Sequence, residues 1–289
     1  MLRLALAAIA LMACGGRARE PAFEPCATAE ACDATGHDLD ENGDVGGALV
    51  AWGHGCSLGS AKACFNAGAI WRDGRAGPKD WARALVRFER GCELGMAICC
   101  GNVGLAYIEG TGVAVDLARG NALLATACEG GFGLGCSNLA ISYRDGNGVP
   151  ADPKRAYDLF AKGCEADDAL GCTEQGVALI RGKTVAMDPP HGAALFAKAC
   201  GISAKDCYHL GLASERGDGV PRDPAAARTQ YDKACGAGTL EACMNLGALK
   251  LRGAGGAKDE AGARALYERA CHGGVAASCA VLDDQLRAR

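Results

Sequence analysis

The strongest constraint on this chain is a beat kept by its cysteines. With Cys14 left aside, one series falls at Cys56, Cys92, Cys128, Cys164, Cys200, Cys235 and Cys271, in steps of 36, 36, 36, 36, 35 and 36 residues. Each is followed by a second cysteine eight residues on, once seven: Cys64, Cys100, Cys136, Cys172, Cys207, Cys243 and Cys279. A period this regular is the sequence mark of a solenoid, in which each repeat packs only on its neighbours.

Other residue types keep the same time. Asp80, Asp116, Asp152, Asp188, Asp223 and Asp259 each stand 16 residues after a second cysteine, and Pro153, Pro189 and Pro224 follow three of them. An aspartate whose side chain caps free N–H groups, with proline at the first helical position, predicts a helix start. This helix B runs to the next first cysteine, with apolar residues at helical spacing such as Ala156, Leu159 and Phe160. A helix A begins near the second cysteine and ends at a glycine in phase (Gly74, Gly110, Gly146, Gly182, Gly217, Gly253), the residue best suited to a left-handed stop. Small residues four after the second cysteine (Gly68, Gly104, Ala140, Gly176, Gly211, Gly247) predict close crossing of helix B over helix A. That matters in a chain with only 5% aromatic residues and 43 glycines. Repeats therefore start at about 32, 64, 100, 136, 172, 207 and 243, the first four residues short. Cys26 and Cys32 form an abbreviated cap, and residues 281–289 begin one more helix A.

The N-terminus, a single arginine followed by an apolar run too short to span a bilayer, reads as a signal peptide over residues 1–13. Leu11-Met12-Ala13-Cys14 resembles a bacterial lipobox, which makes Cys14 the lipidated first mature residue and 14–25 a tether before a solenoid spanning 26–289. Export places the thiols where disulfides persist, so the phased set reads as a framework: Cys26–Cys32, Cys56–Cys64, Cys92–Cys100, Cys128–Cys136, Cys164–Cys172, Cys200–Cys207, Cys235–Cys243 and Cys271–Cys279. Zinc is disfavoured, because structural zinc sites keep paired thiols closer in sequence. Cys99 has no counterpart in other repeats and reads as a free thiol, an intermolecular bridge or a competitor for Cys92.

The stretch from Leu139 through Tyr143, Gly146, Gly148, Asp152 and Lys154 to Ala156 resembles the Sel-one-like repeat, a relative of the tetratricopeptide repeat, and the cysteine pair at each junction resembles its secreted cysteine-rich Hcp-type branch. The resemblance covers residues 26–279. It implies an all-α, right-handed superhelix of αα hairpins with a concave protein- or peptide-binding face. It also implies an alternative, since some Hcp-type members are described as binding or hydrolysing penicillin-type β-lactams. No catalytic residue follows from it. None of Ser57, Ser60, Ser137, Ser142, Ser203, Ser214 and Ser278 has lysine three residues on, and His37, His54, His191, His209 and His272 fall in different phases.

A net charge of -4 argues against nucleic acid as a partner. Asp38, Asp40, Asn42, Gly43 and Asp44 match the opening of a calcium loop, but Leu49 stands where the bidentate glutamate belongs, so the segment reads as a polar turn. Arg83, Arg87 and Arg90, with Arg72, Arg75 and Lys79 before them, read as a solvated helix face or a patch for an acidic partner. With Gly15 after Cys14 as the outer-membrane sorting choice, the sequence thus describes an exported, lipid-anchored cell-envelope protein of the outer membrane, facing periplasm or surface, that binds a protein, a peptide or a cell-wall component. No metal or cofactor is expected, and a β-lactam hydrolase is the alternative.

Overall fold

The structure is a computed structural model that describes residues 26–287; Cys14, the signal segment 1–13 and the rest of the tether lie outside the described residues. All regular elements among the described residues are helical, and none of those helices is long and apolar enough to cross a membrane. Seven hairpins follow one another, each of a helix A and a helix B: α1 (Ala29–Glu41) with α2 (Val45–Ser57), α3 (Ala61–Asp73) with α4 (Trp81–Glu93), α5 (Ala97–Glu109) with α6 (Leu117–Glu129), and α7 (Gly133–Asp145) with α8 (Pro153–Glu165). Then come α9 (Ala169–Arg181) with α10 (Pro189–Ile202), α11 (Cys207–Arg216) with α12 (Pro224–Gly236), and α13 (Leu240–Arg252) with α14 (Glu260–His272), before α15 (Ala276–Arg287) closes the stack. From α3 onward helix A starts three residues ahead of the second cysteine, except in α11, so the thiol lies inside the first helical turn.

Each helix boundary has a local cause. The phased aspartates accept backbone N–H groups in the first turn of helix B, as Asp152 does from Arg155 at 3.0 Å and Asp116 from Arg119 at 3.0 Å. Their own N–H groups reach back to helix A, Asp152 to the Tyr143 carbonyl at 2.8 Å and Asp116 to Tyr107 at 2.9 Å, which fixes how the hairpin folds over. The glycines ending helix A are left-handed, with φ from 65° at Gly182 to 86° at Gly217. The four residues missing from the first repeat come out of this turn: only Asn42, Gly43 and Asp44 separate α1 from α2.

The core is a ladder of one large side chain per hairpin. Trp52, Phe88, Leu124, Phe160, Phe196, Tyr231 and Tyr267 stand four residues before the first cysteine, and all are buried. Each of these positions lies over a small residue of its own helix A. A Cβ on Gly68 would come within 2.6 Å of Phe88, one on Gly176 within 2.7 Å of Phe196, and one on Gly211 within 2.6 Å of Tyr231. The small residues foreseen in the sequence are therefore the holes, and Leu124 and six aromatic residues are the knobs. So few aromatic residues suffice because each is used once per repeat.

Seven disulfides join the end of one helix B to the start of the next helix A and an eighth, Cys26–Cys32, ties the segment before α1 to its first turn, with Cα–Cα separations from 4.2 Å at Cys200–Cys207 to 5.0 Å at Cys26–Cys32. Closing so short a loop stabilises each junction by about 2.5 kcal/mol on the chain-entropy model. Cys99 is unpaired and fully buried. It occupies the place taken by Ala63, Gly135, Gly171 and Ala242 in other hairpins, and its Sγ fills the notch left by the missing side chain of Gly91. Burial pushes its thiol up to about 12, so the thiolate needed for exchange is suppressed.

A candidate binding cleft on the helix A face

Consecutive A helices pack directly on one another at α1 and α3, α5 and α7, and α7 and α9, whereas B helices do so at α2 and α4. The A helices thus line the tighter side of the stack. They share one half-buried stripe. Two residues after the second cysteine stand Asn66, Asn102, Asn138, Glu174, His209 and Asn245; five after it stand Ala69, Leu105, Ile141, Val177, Leu212 and Ala248. Polar groups near the start of the helix and aliphatic groups along its middle repeat from hairpin to hairpin. In two places the end of one A helix reaches the next across the stripe: Arg72 donates to Asn102 at 3.2 Å, and Arg144 meets Glu174 at 3.4 Å.

Between the fifth and sixth hairpins the pattern breaks. At six junctions a left-handed residue lies three after the first cysteine: Gly59, Gly95, Gly131, Asp167, Gly238 and Gly274. The fifth junction in chain order, Cys200–Cys207, is one residue shorter. Ser203 is extended there (φ -135°), and a 3-10 turn at Ala204–Asp206 replaces the first turn of the helix. The residues that would bridge the A helices are Ile180 and His209, which cannot form the arginine link made elsewhere.

A cleft of about 340 Å³ opens at this place. Val177, Ile180 and Arg181 of α9 form one wall, Tyr208, His209, Leu212 and Arg216 of α11 the other, and Phe196 of α10 lies beneath, with Asp218 at the rim. A smaller hollow of about 150 Å³ shares Val177 and Arg181 and continues past Glu174, Tyr157 and Phe160 to Arg144 and Lys183. The two make one groove across three A helices. The His209 ring lies 5.4 Å from Phe196 and 5.3 Å from Tyr208, centroid to centroid. Burial holds the His209 pKa below its ordinary 6.5, and Arg181 pushes the same way against Asp206 and Glu174, so the ring is neutral near pH 7.

The cations of the sequence divide sharply. In the arginine-rich second hairpin Arg72 pairs with Asp73, Arg75 with Asp40, Arg83 with Asp80 and Arg90 with Glu93, so that patch is largely neutralised. Arg181 and Arg216 line the cleft with neither an ion pair nor a side-chain hydrogen bond among the described residues. The acidic turn near Asp38 spends its oxygens internally: Asp40 receives Arg75, and Asp44 caps α2 through the Gly47 N–H at 2.8 Å. The lining of the cleft includes no serine, cysteine or lysine.

No match was found among curated proteins. The pattern of the Sel1 repeat matches residues 97–132, 133–168, 204–238 and 240–275 and leaves the first, second and fifth hairpins unmatched. A protective antigen of uropathogenic Escherichia coli, c5321, which displays this repeat fold, is 24% identical over 86% of this chain with a TM-score of 0.72; the present chain spans 55% of its length. A Sel1 repeat protein of Oxalobacter formigenes is 20% identical over 83% of this chain and 96% of its own, also with a TM-score of 0.72. Cysteine rich protein B of Helicobacter pylori is 30% identical over 45% of this chain and 95% of its own, with a TM-score of 0.38. The helical hairpins, their phased caps and the matched repeats together make this chain a Sel1-repeat protein, its solenoid stapled at every junction by a disulfide.

Proposed function

We propose that the protein is an exported, lipid-anchored scaffold of the cell envelope that binds a protein or peptide partner along the helix A face. The observation that carries this reading is the groove across α7, α9 and α11, lined by half-buried aliphatic and aromatic side chains with unpaired arginines at its edge. Such a mixture is the usual chemistry of a recognition surface. The disulfides keep the two walls at fixed spacing, so little conformational entropy is lost on binding. Eight disulfides fit an oxidising compartment, and lipidation at Cys14 would tether the solenoid to a membrane by its N-terminal side.

Photo-crosslinking residues placed at Ile141, Val177 and Leu212 on the A face, and at Lys154 and Asp232 on the B face, test the surface in envelope extracts. Defined adducts from the first set are expected. Adducts from the B positions alone contradict the reading. Cys14→Ala is expected to release the protein from the membrane fraction, and unchanged fractionation removes the anchor from the proposal.

A further inference from the structure

Resting on the helix A face as the binding surface, we infer that the cleft between the fifth and sixth hairpins recognises a carboxylate side chain on a protein partner, within an acidic segment that also carries an aromatic or aliphatic residue. Charge complementarity supports this occupant. The chain as a whole is acidic, with a net charge of -4. Along the groove, by contrast, Arg144, Arg181, Lys183 and Arg216 face two carboxylates, Glu174 and Asp218. Arg144 is engaged by Asp145 and Glu174, which leaves Arg181 and Arg216 as the open guanidiniums.

A guanidinium offers a planar fork of donors that matches a carboxylate, and two at the edge of an apolar cleft give one charge a strong local preference. Between them lie Phe196, Tyr208, Leu212 and the uncharged His209 ring, a floor suited to an apolar neighbour of that carboxylate. The volume admits one or two side chains. Asp218 at the rim opposes a dianion, so a single carboxylate fits better than a phosphate.

The test uses the oxidised mature protein and two fluorescein-labelled octapeptide pools, capped at both ends so that side chains are the sole carboxylates. One pool mixes Asp and Glu with Phe and Leu; the other replaces Asp and Glu by Asn and Gln. At low salt the acidic pool is expected to bind at least tenfold more tightly by fluorescence anisotropy. In R181Q/R216Q the preference is expected to disappear while the melting curve stays unchanged, because both side chains are exposed. R181K/R216K is expected to keep part of it. Equal binding of both pools, or an acidic preference intact in R181Q/R216Q, overturns the carboxylate inference and leaves the binding surface standing. Binding of neither pool overturns both.

Discussion

The third and fourth hairpins and the fifth and sixth are built from the same parts, yet the described residues show a hollow of about 180 Å³ at the first region and a cleft of about 340 Å³ at the second. In the first, the junction after Cys128 keeps the left-handed Gly131 and a full first turn of α7, whose Arg144 reaches on to Glu174 of the fifth hairpin. In the second, one residue is missing after Cys200, a 3-10 turn replaces a helical turn, and Ile180 and His209 face each other where a bridge would stand. The contrast teaches where function resides in a repeat array. Regular repeats supply stiffness and curvature, and the interrupted junction supplies an accessible surface with uncompensated charge. The arginine-rich second hairpin makes the same point from the other side, since its cations are mostly occupied by neighbouring carboxylates.

The comparison can be pressed first at the knobs. Leu124→Ala, which empties the hole over Gly104 in the regular region, is expected to cost about 2–5 kcal/mol and to leave acidic-peptide binding unchanged. Phe196→Ala should destabilise comparably and also lose binding, because the same ring floors the cleft. Urea titration and anisotropy on both variants measure this. If binding survives without Phe196, the cleft is not the contact surface.

Disulfides give a smaller effect with the same asymmetry. Replacing Cys128 and Cys136 together by serine, or Cys200 and Cys207, should lower stability by about 2.5 kcal/mol in either case. Only the second pair is expected to weaken peptide binding, since it holds α10 against α11. Inserting one glycine between Ile202 and Ser203 restores the 36-residue period. It is expected to leave the melting temperature within a few degrees while abolishing peptide binding; undiminished binding would detach the cleft from the break in period.

The smallest effect is a pH dependence. Because burial lowers the His209 pKa in the folded state relative to 6.5 unfolded, the fold favours the neutral ring. The stability this contributes is present above the unfolded pKa and is lost as pH falls from about 6.5 through the folded value. Melting of His209→Gln should therefore fall less between pH 7.5 and 5 than that of the wild type. Equal slopes would show that His209 is solvated.

Much of this architecture was legible in the sequence because caps and staples are local. Asp152, Gly146 and the cysteine phases each act within a few residues, so their chemistry can be read along the chain. The holes were legible too, as phased small residues. Their partners were not: Phe88, Leu124 and Tyr231 differ in type, and only their shared distance from the first cysteine reveals one ladder. The single step of 35 residues at Cys235 was visible but carried no chemical meaning until the structure placed His209, Arg181 and Arg216 around one opening. Arginine density misdirects attention in the same way, because pairing is decided by three-dimensional neighbours. Arg75, for instance, finds Asp40 across 35 positions of chain.

The most direct test of the central claim is a hydrogen-exchange footprint of the acidic peptide pool on the oxidised protein. Protection concentrated in residues 174–181 and 207–216, with residues 153–165 and 224–236 on the outer helices unchanged, is the expected result. Equal protection along the A helices of the third and fourth hairpins, or protection confined to the B helices, would contradict it.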